Sequence, residues 1–177
     1  MLASGLPWLA TAAPAVQEPQ GYWMGANHGP VAATLSGATV IHTRKLAALL
    51  KTGDVMVVDV SDAPRRPDIL APGAVWLPLP HPVIPGALWI PGAGIGAISP
   101  AVDELFRERL AQGTHNDLSH PLVIYCHRNC WLSWNAAKRA ISYGYRNVFW
   151  FPDGMEGWRA AGLPTATGEP LVAYRVF

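Results

Sequence analysis

The sequence predicts an α/β domain built on a parallel sheet, and three observations carry that expectation. From residue 38 onward, short apolar runs alternate with stretches of helical spacing, the order that covers both faces of a sheet with helices. Two of those runs, VMVVDV at 55–60 and LVIY at 122–125, lack the polar alternation of a half-exposed strand and read as strands buried on both faces. Helix starts and stops fall between them: Ser99-Pro100 as N-cap and first helical residue, with Gly53 and Gly144 as stops.

The first 16 residues, MLASGLPWLATAAPAV, are apolar and small and close on an Ala-rich stretch, with a signal-peptidase-like site near Ala13 or Ala15. They lack a basic leading region, so they read either as the remnant of an export signal or as a plain terminus. Gly5, Pro7 and Pro14 interrupt a run already too short to span a membrane. Residues 17–36, rich in Gly, Pro and aromatics without periodicity, read as an irregular N-terminal extension laid over a domain at 37–177.

In that domain residues 38–41 form a short strand. Thr43 caps a helix to about Lys51, with Leu46, Leu49 and Leu50 on one face. The strand at 55–60 leads into a long Pro-rich loop at 61–81, then a short strand at 88–90 and a helix from Ser99 to about Gln112. The strand at 122–125, a helix at 132–142, a strand at 148–151 and a helix at 155–161 complete the order. Asp153 reads as the cap of the last helix.

Composition excludes several classes. At 177 residues the chain is one domain's worth. Thirteen basic against twelve acidic residues leave a net charge of +1, too little for a nucleic-acid binder that neutralises phosphates. Before Arg44 the only charged side chain is Glu18. Two cysteines cannot make a disulfide scaffold, but Cys126 and Cys130 stand four positions apart, so any function they share is local.

Chemistry in an open parallel sheet collects at the carboxyl ends of strands, and Cys126 directly follows LVIY. The turn Cys126-His127-Arg128-Asn129-Cys130-Trp131 therefore wraps a helix N-terminus, where backbone N–H groups form an anion-binding nest. Such a nest stabilises a thiolate, so Cys126 is expected to have a lowered pKa and to be nucleophilic. His127 and Arg128 add positive charge, and Asn129 suits a left-handed backbone position. Cys130 is either a resolving thiol for Cys126 or a small packing residue. A zinc site from Cys126, His127 and Cys130 lacks a fourth ligand, and His28, His42, His81, His115 and His120 show no metal spacing. Trp131 is a candidate pocket wall, Trp150 and Trp158 are core. Asp59, ending a central strand, is a candidate for substrate binding or for bonding loop backbone. Arg65 and Arg66 could attract an anion but read more simply as solvated surface.

Three segments in order resemble the rhodanese-like family. They are Val58-Asp59-Val60 followed by Ile84-Pro85-Gly86-Ala87-Leu88, then LVIYC at 122–126, then GYRNVFWFPDGMEGW at 144–158 with Gly162-Leu163-Pro164. The resemblance spans roughly 37–165. It implies a rhodanese-like three-layer fold with a five-stranded parallel sheet flanked by helices, and a persulfide-forming cysteine at Cys126. The sequence departs from the family pattern where Asn129 and Trp131 replace a usual Gly and a usual basic residue. The loop also runs one residue long, and it lacks the terminal Arg of the family's phosphatase-type loops. Cys126-x-x-x-Cys130-Trp131 with Ser133-Trp134-Asn135, behind EPQGYWMG, is similar to the exported proteins called PQQ-dependent catabolism-associated CXXCW motif proteins, although the gap here has three residues.

That resemblance implies a periplasmic protein, soluble after signal removal, with sulfurtransferase-type persulfide or thiol–disulfide chemistry at Cys126 and Cys130. The residues of the turn and the strand end, read by themselves, make His127, Arg128, Asn129, Trp131 and Asp59 the candidates to hold a small sulfur-containing or anionic substrate. The implied partner is a quinoprotein dehydrogenase or cytochrome, and no cofactor, metal or nucleic acid is implied. The alternative is a non-catalytic accessory protein of the same fold that binds a redox partner or small ligand.

Overall fold

In a computed structural model, which describes residues 15–64, 67–71 and 79–170, the apolar runs become strands where they were expected. In chain order the elements are β1 (Ala38–Val40), α1 (Thr43–Thr52), β2 (Met56–Asp59), β3 (His81–Val83), β4 (Leu88–Trp89), α2 (Pro100–Gly113), β5 (Leu122–Tyr125), α3 (Trp131–Ser142), β6 (Val148–Phe151), α4 (Gly154–Ala160) and β7 (Ala166–Gly168). Five of the strands form one sheet in the order β1-β6-β5-β2-β4, and every pairing in it is parallel. The most apolar strand, β5, is central. Leu122 pairs with Met56 on one side and Val148 on the other, and Tyr125 with Asp59 and Phe151.

Strand alternation sends neighbouring side chains to opposite faces, and the core divides accordingly. Val58, Ile124 and Trp150 pack with Phe106 and Leu110 of α2 and with Trp134, Ala136, Ala137 and Ala140 of α3. Val57, Val123, Tyr125 and Phe151 pack with Leu46 of α1 and with Met155 and Trp158 of α4. The result is the three-layer α/β fold with helices on both faces. Trp150 and Trp158 are core, as expected. The Ser99-Pro100 start also holds: the Ser99 Oγ accepts the Val102 N–H at 3.3 Å.

Two caps differ from expectation. Thr43 is the first helical residue of α1, not its cap, and His42 precedes it without a side-chain cap bond. The Asp153 carboxylate accepts the Thr43 N–H (2.9 Å) and Oγ–H (3.0 Å), and also bonds His42 Nδ1 at 2.8 Å. Asp153 makes no cap bond to its own helix α4. Because β1 and β6 are parallel neighbours, the turn after one lies beside the turn after the other, and the carboxylate caps across.

The Pro-rich loop also contains an element the sequence hides. Residues β3 pair antiparallel with β7 in a separate two-stranded sheet, too short and too Pro-bearing to show alternation. Residues 15–36 carry no helix or regular strand; a bridge joins His28 to Cys130. Among the described residues no helix is long and apolar enough to cross a membrane. Arg65, Arg66 and residues 1–14 of the leader lie outside the described residues.

Candidate active site

The β5 strand ends at Tyr125 on one face of the sheet, so Cys126 points to the other, against α3. Its side chain has no solvent exposure. The sulfur accepts the Ser133 N–H at 3.3 Å and lies 3.5 Å from the His127 carbonyl oxygen and 3.6 Å from that of Cys130. Cys130 occupies the N-cap position of α3. Both thiols are free.

The acidities reverse the sequence expectation. Burial pushes the Cys126 thiol well up, and the adjacent Cys130 sulfur pushes it further; Ser133 opposes this only in part. Cys130 is lowered, chiefly by the neighbouring Cys126 thiol; burial opposes this, while the Leu132 N–H and the charge of His127 assist. The turn's amides favour charge on both sulfurs, Leu132 on Cys130 and Ser133 on Cys126, but burial outweighs this at Cys126. A fully desolvated sulfur is a poor place for charge when a neighbour one helical turn away can hold it.

The nest itself is largely filled by the protein. Glu156 bonds His127 Nδ1 at 2.8 Å and accepts the Arg128 N–H at 2.7 Å. Burial works against the Glu156 charge, but these two donors hold its carboxyl below the usual carboxylate range. The Trp131 N–H goes to the Asn27 carbonyl at 2.7 Å, and the Asn129 carbonyl accepts the Gly29 N–H at 2.9 Å. Asn129 does take the left-handed backbone, with φ 55°. The Arg128 side chain is exposed to solvent.

Gly154 presses against the loop from behind. Its φ is 61°, and a Cβ there would stand 2.5 Å from the His127 carbonyl carbon and 2.7 Å from the Cys126 oxygen. The next amide, Met155 N–H, donates to that same Cys126 oxygen at 3.0 Å.

The extension closes the other side. Asn135 of α3 accepts the Trp23 N–H at 2.8 Å and donates to the Trp23 carbonyl at 3.0 Å, so one amide side chain binds one backbone residue at both ends. Lys138 donates to the Pro19 and Gln20 carbonyls, each at 2.9 Å. Trp131, expected to line a pocket, is buried beneath this segment, with its indole N–H on the Pro30 carbonyl at 3.1 Å.

Of the sequence-predicted residues, Cys126, His127, Arg128, Asn129, Cys130 and Trp131 do share one turn. Asp59 does not join them. It pairs in register with Tyr125 and so lies on the sheet face opposite Cys126. There it accepts the Ser61 N–H at 2.8 Å and bonds His81 Nε2 at 3.0 Å, the loop-bonding role of a strand-end carboxylate. Sequence reasoning assigned no role to Glu156, Gly154, Asn135 or Asn27. The first two sit inside the segment GMEGW that carried the family resemblance, which was the available signal. Asn135 sits in the Ser133-Trp134-Asn135 stretch that carried the second resemblance, but its contact with Trp23, like that of Asn27 with Trp131, spans more than a hundred residues and no local pattern shows it. Among the described residues no group of three His, Cys, Asp or Glu side chains is placed to hold a metal.

The fold has counterparts. The family model for the rhodanese-like domain matches residues 42–161, well over half the chain. Among solved structures, the chain is similar to a 3-mercaptopyruvate sulfotransferase from Escherichia coli at TM-score 0.53 and 18% identity, over 74% of this chain and 52% of that one. It is similar to a thiosulfate sulfurtransferase from Pseudomonas aeruginosa at TM-score 0.50 and 20% identity, over 77% of this chain and 22% of that one. A polysulfide-sulfur transferase from Wolinella succinogenes also matches, at TM-score 0.48 and 20% identity, over 76% and 81%. At these identities the likeness is one of fold. No curated protein matches by sequence. With the parallel five-stranded sheet, the strand-end cysteine turn and the family match in agreement, the chain belongs to the rhodanese-like domain family.

Proposed function

We propose that this protein moves sulfane sulfur through the Cys126–Cys130 pair. The feature that supports the reading is the contrast between the two thiols: burial raises Cys126 while Cys130 is lowered, so Cys130 is the more acidic of the pair. Only a thiolate attacks sulfur efficiently.

The Cys130 thiolate attacks the outer, sulfane sulfur of a donor. A Cys130–S bond to that sulfur forms, the donor's own bond to it breaks, and the remainder of the donor leaves with the electron pair. Cys130 then carries a persulfide. A thiophilic acceptor attacks the outer sulfur, and Cys130 leaves as the thiolate, which closes the cycle without net redox. Where no acceptor arrives, Cys126 attacks the Cys130 sulfur, its proton departs with the released hydrosulfide, and the two cysteines end as a disulfide. The His127–Glu156 pair and Asn129 hold the loop's shape while Cys130 changes charge.

The reading includes a setting: an exported protein of the periplasm, serving quinoprotein alcohol oxidation with a dehydrogenase or cytochrome as partner. Its support is the leader-like residues 1–16 and the CXXCW-type resemblance around Cys126–Trp131. Cell fractionation with a C-terminal tag tests the compartment.

Intact mass and peptide mapping after one turnover without acceptor test the chemistry. Expected are the mass of one added sulfur on Cys130 in Cys126→Ser and none in Cys130→Ser. Wild-type sulfur transfer by both serine variants overturns the reading. The closure of residues 19–36 over the loop favours a second reading, a non-catalytic accessory protein. It wins if the double serine variant still binds its partner and supports growth on alcohols.

A further inference from the structure

Cys126 and Cys130 are both buried, at 0% and 2% exposure, but one cavity has Cys130, and not Cys126, in its wall. That cavity, of about 270 Å³, opens between the extension, the ends of β1 and β6, and the cysteine turn, with Cys130 in its wall. Its size is at the lower edge of small-molecule sites, which suits a compact ligand.

Its walls are apolar. Val31, Ala32 and Ala33 come from the extension, Val40 from β1, and Trp150 and Pro152 from β6 and the residue after it. Besides Cys130, the remaining lining residues are Asn129 and His42, and His42 is already bonded to the Asp153 carboxylate. Among the described residues no Lys, Arg or carboxylate lines the space. A dianion such as thiosulfate would shed its water there without a cation to replace it, and an uncompensated charge in apolar surroundings is costly. An alkyl group loses nothing by entering and gains by leaving water. Two amides of the nest, those of Arg128 and Trp131, are already taken by Glu156 and the Asn27 carbonyl.

Resting on the sulfur-transfer reading above, we propose that this cavity seats the hydrocarbon part of a small organic persulfide, and that the extension thereby selects organic over inorganic sulfane donors. With R–S–SH as donor, the Cys130 thiolate attacks the outer sulfur. The Cys130–S bond forms, the R–S bond to that sulfur breaks, and R–S⁻ leaves with the electron pair; the proton stays on the new persulfide.

The extension's contribution gives the test. Ala33 lines the cavity yet is exposed, so it tolerates substitution without loss of folding. Persulfide loading of Cys130 is followed by mass spectrometry with two donors, a short-chain alkyl persulfide and thiosulfate, in the full chain. Wild type is expected to prefer the alkyl donor by about tenfold or more in kcat/KM, the scale of one or two methylene contacts. Ala33→Arg should narrow that preference by about tenfold by adding a cation, and Ala33→Leu should raise the KM of the alkyl donor alone, by filling the space. Equal or better loading by thiosulfate in wild type, with both variants unchanged, overturns the selectivity and leaves the sulfur-transfer reading standing. Failure of both donors to load Cys130 overturns that reading, and this one with it.

Discussion

The Trp23 indole lies flat on that of Trp131, with ring centroids 4.4 Å apart and planes 10° from parallel. One ring belongs to the irregular extension and the other to the first turn of α3, immediately after Cys130. The stack is thus the fastener between the extension and the cysteine turn, backed by the Asn135 clamp on Trp23 and the Asn27 bond to the Trp131 amide.

Trp23→Ala should therefore loosen the extension first and the domain second. Trp23 is only partly buried, so about 2 kcal/mol of stability is expected, below the 3–5 typical of a fully buried Trp. The diagnostic is amide exchange. The Trp131 N–H, bound by Asn27, should exchange much faster in the variant, while amides of β5 keep their protection. Unchanged exchange at Trp131 would mean the extension is held by other contacts.

The two thiols should titrate in opposite directions from an ordinary cysteine. Cys130 is lowered and Cys126 raised, so near neutral pH a small alkylating reagent should label Cys130 and spare Cys126. In Cys126→Ser, Cys130 is the sole thiol and its titration is read alone. In Cys130→Ser the Cys126 thiol loses its charged neighbour and should titrate lower than in the wild type, though still above an ordinary thiol because it remains buried. Thiolate absorbance against pH measures all three proteins. Labelling of Cys126 before Cys130 would reverse the assignment of roles.

Gly154→Ala should cost both stability and loop geometry. The site requires φ 61°, and a methyl group would meet the backbone at Cys126, His127 and Arg128. The left-handed conformation alone costs about 1–2 kcal/mol, and the backbone contacts add to it, since a main chain cannot swing aside. Asn129→Ala keeps the Cβ that Asn129 already carries at φ 55° and should cost about 1 kcal/mol, and Asn129→Gly little. Urea denaturation ranks the three. A harmless Gly154→Ala would contradict the packed geometry.

Acid should destabilise the turn through Glu156 and Asp153. Both carboxyls are held low in the folded protein despite burial, Glu156 by Arg128 and His127, and Asp153 by His42 and Thr43. A lowered folded pKa gives stability that is fully present above the unfolded values of about 4.3 and 3.9. It is lost as pH falls through the lower folded values. Glu156→Gln should cost about 1 kcal/mol at pH 6 and nothing once the wild-type carboxyl is protonated. Thermal midpoints from pH 6 down to pH 3 should therefore converge for the two proteins. Parallel curves would remove Glu156 from the acid response.

Local pattern in the sequence determines the sheet, its parallel order, the helices between the strands and the placing of six consecutive residues at one strand end. Runs such as LVIY and starts such as Ser99-Pro100 act over a few residues, and burial on both faces leaves them one outcome. The left-handed Asn129 was legible for the same reason. Tertiary structure alone decided the rest. Register with Tyr125 carries Asp59 to the wrong face of the sheet for Cys126. Parallel neighbours let Asp153 cap a helix more than a hundred residues away. The order of the two thiol acidities turns on how completely each sulfur is desolvated and on what lies beside it, and the extension takes the Trp131 amide from a ligand. These depend on contacts between segments far apart in the chain, whose energies no local pattern encodes.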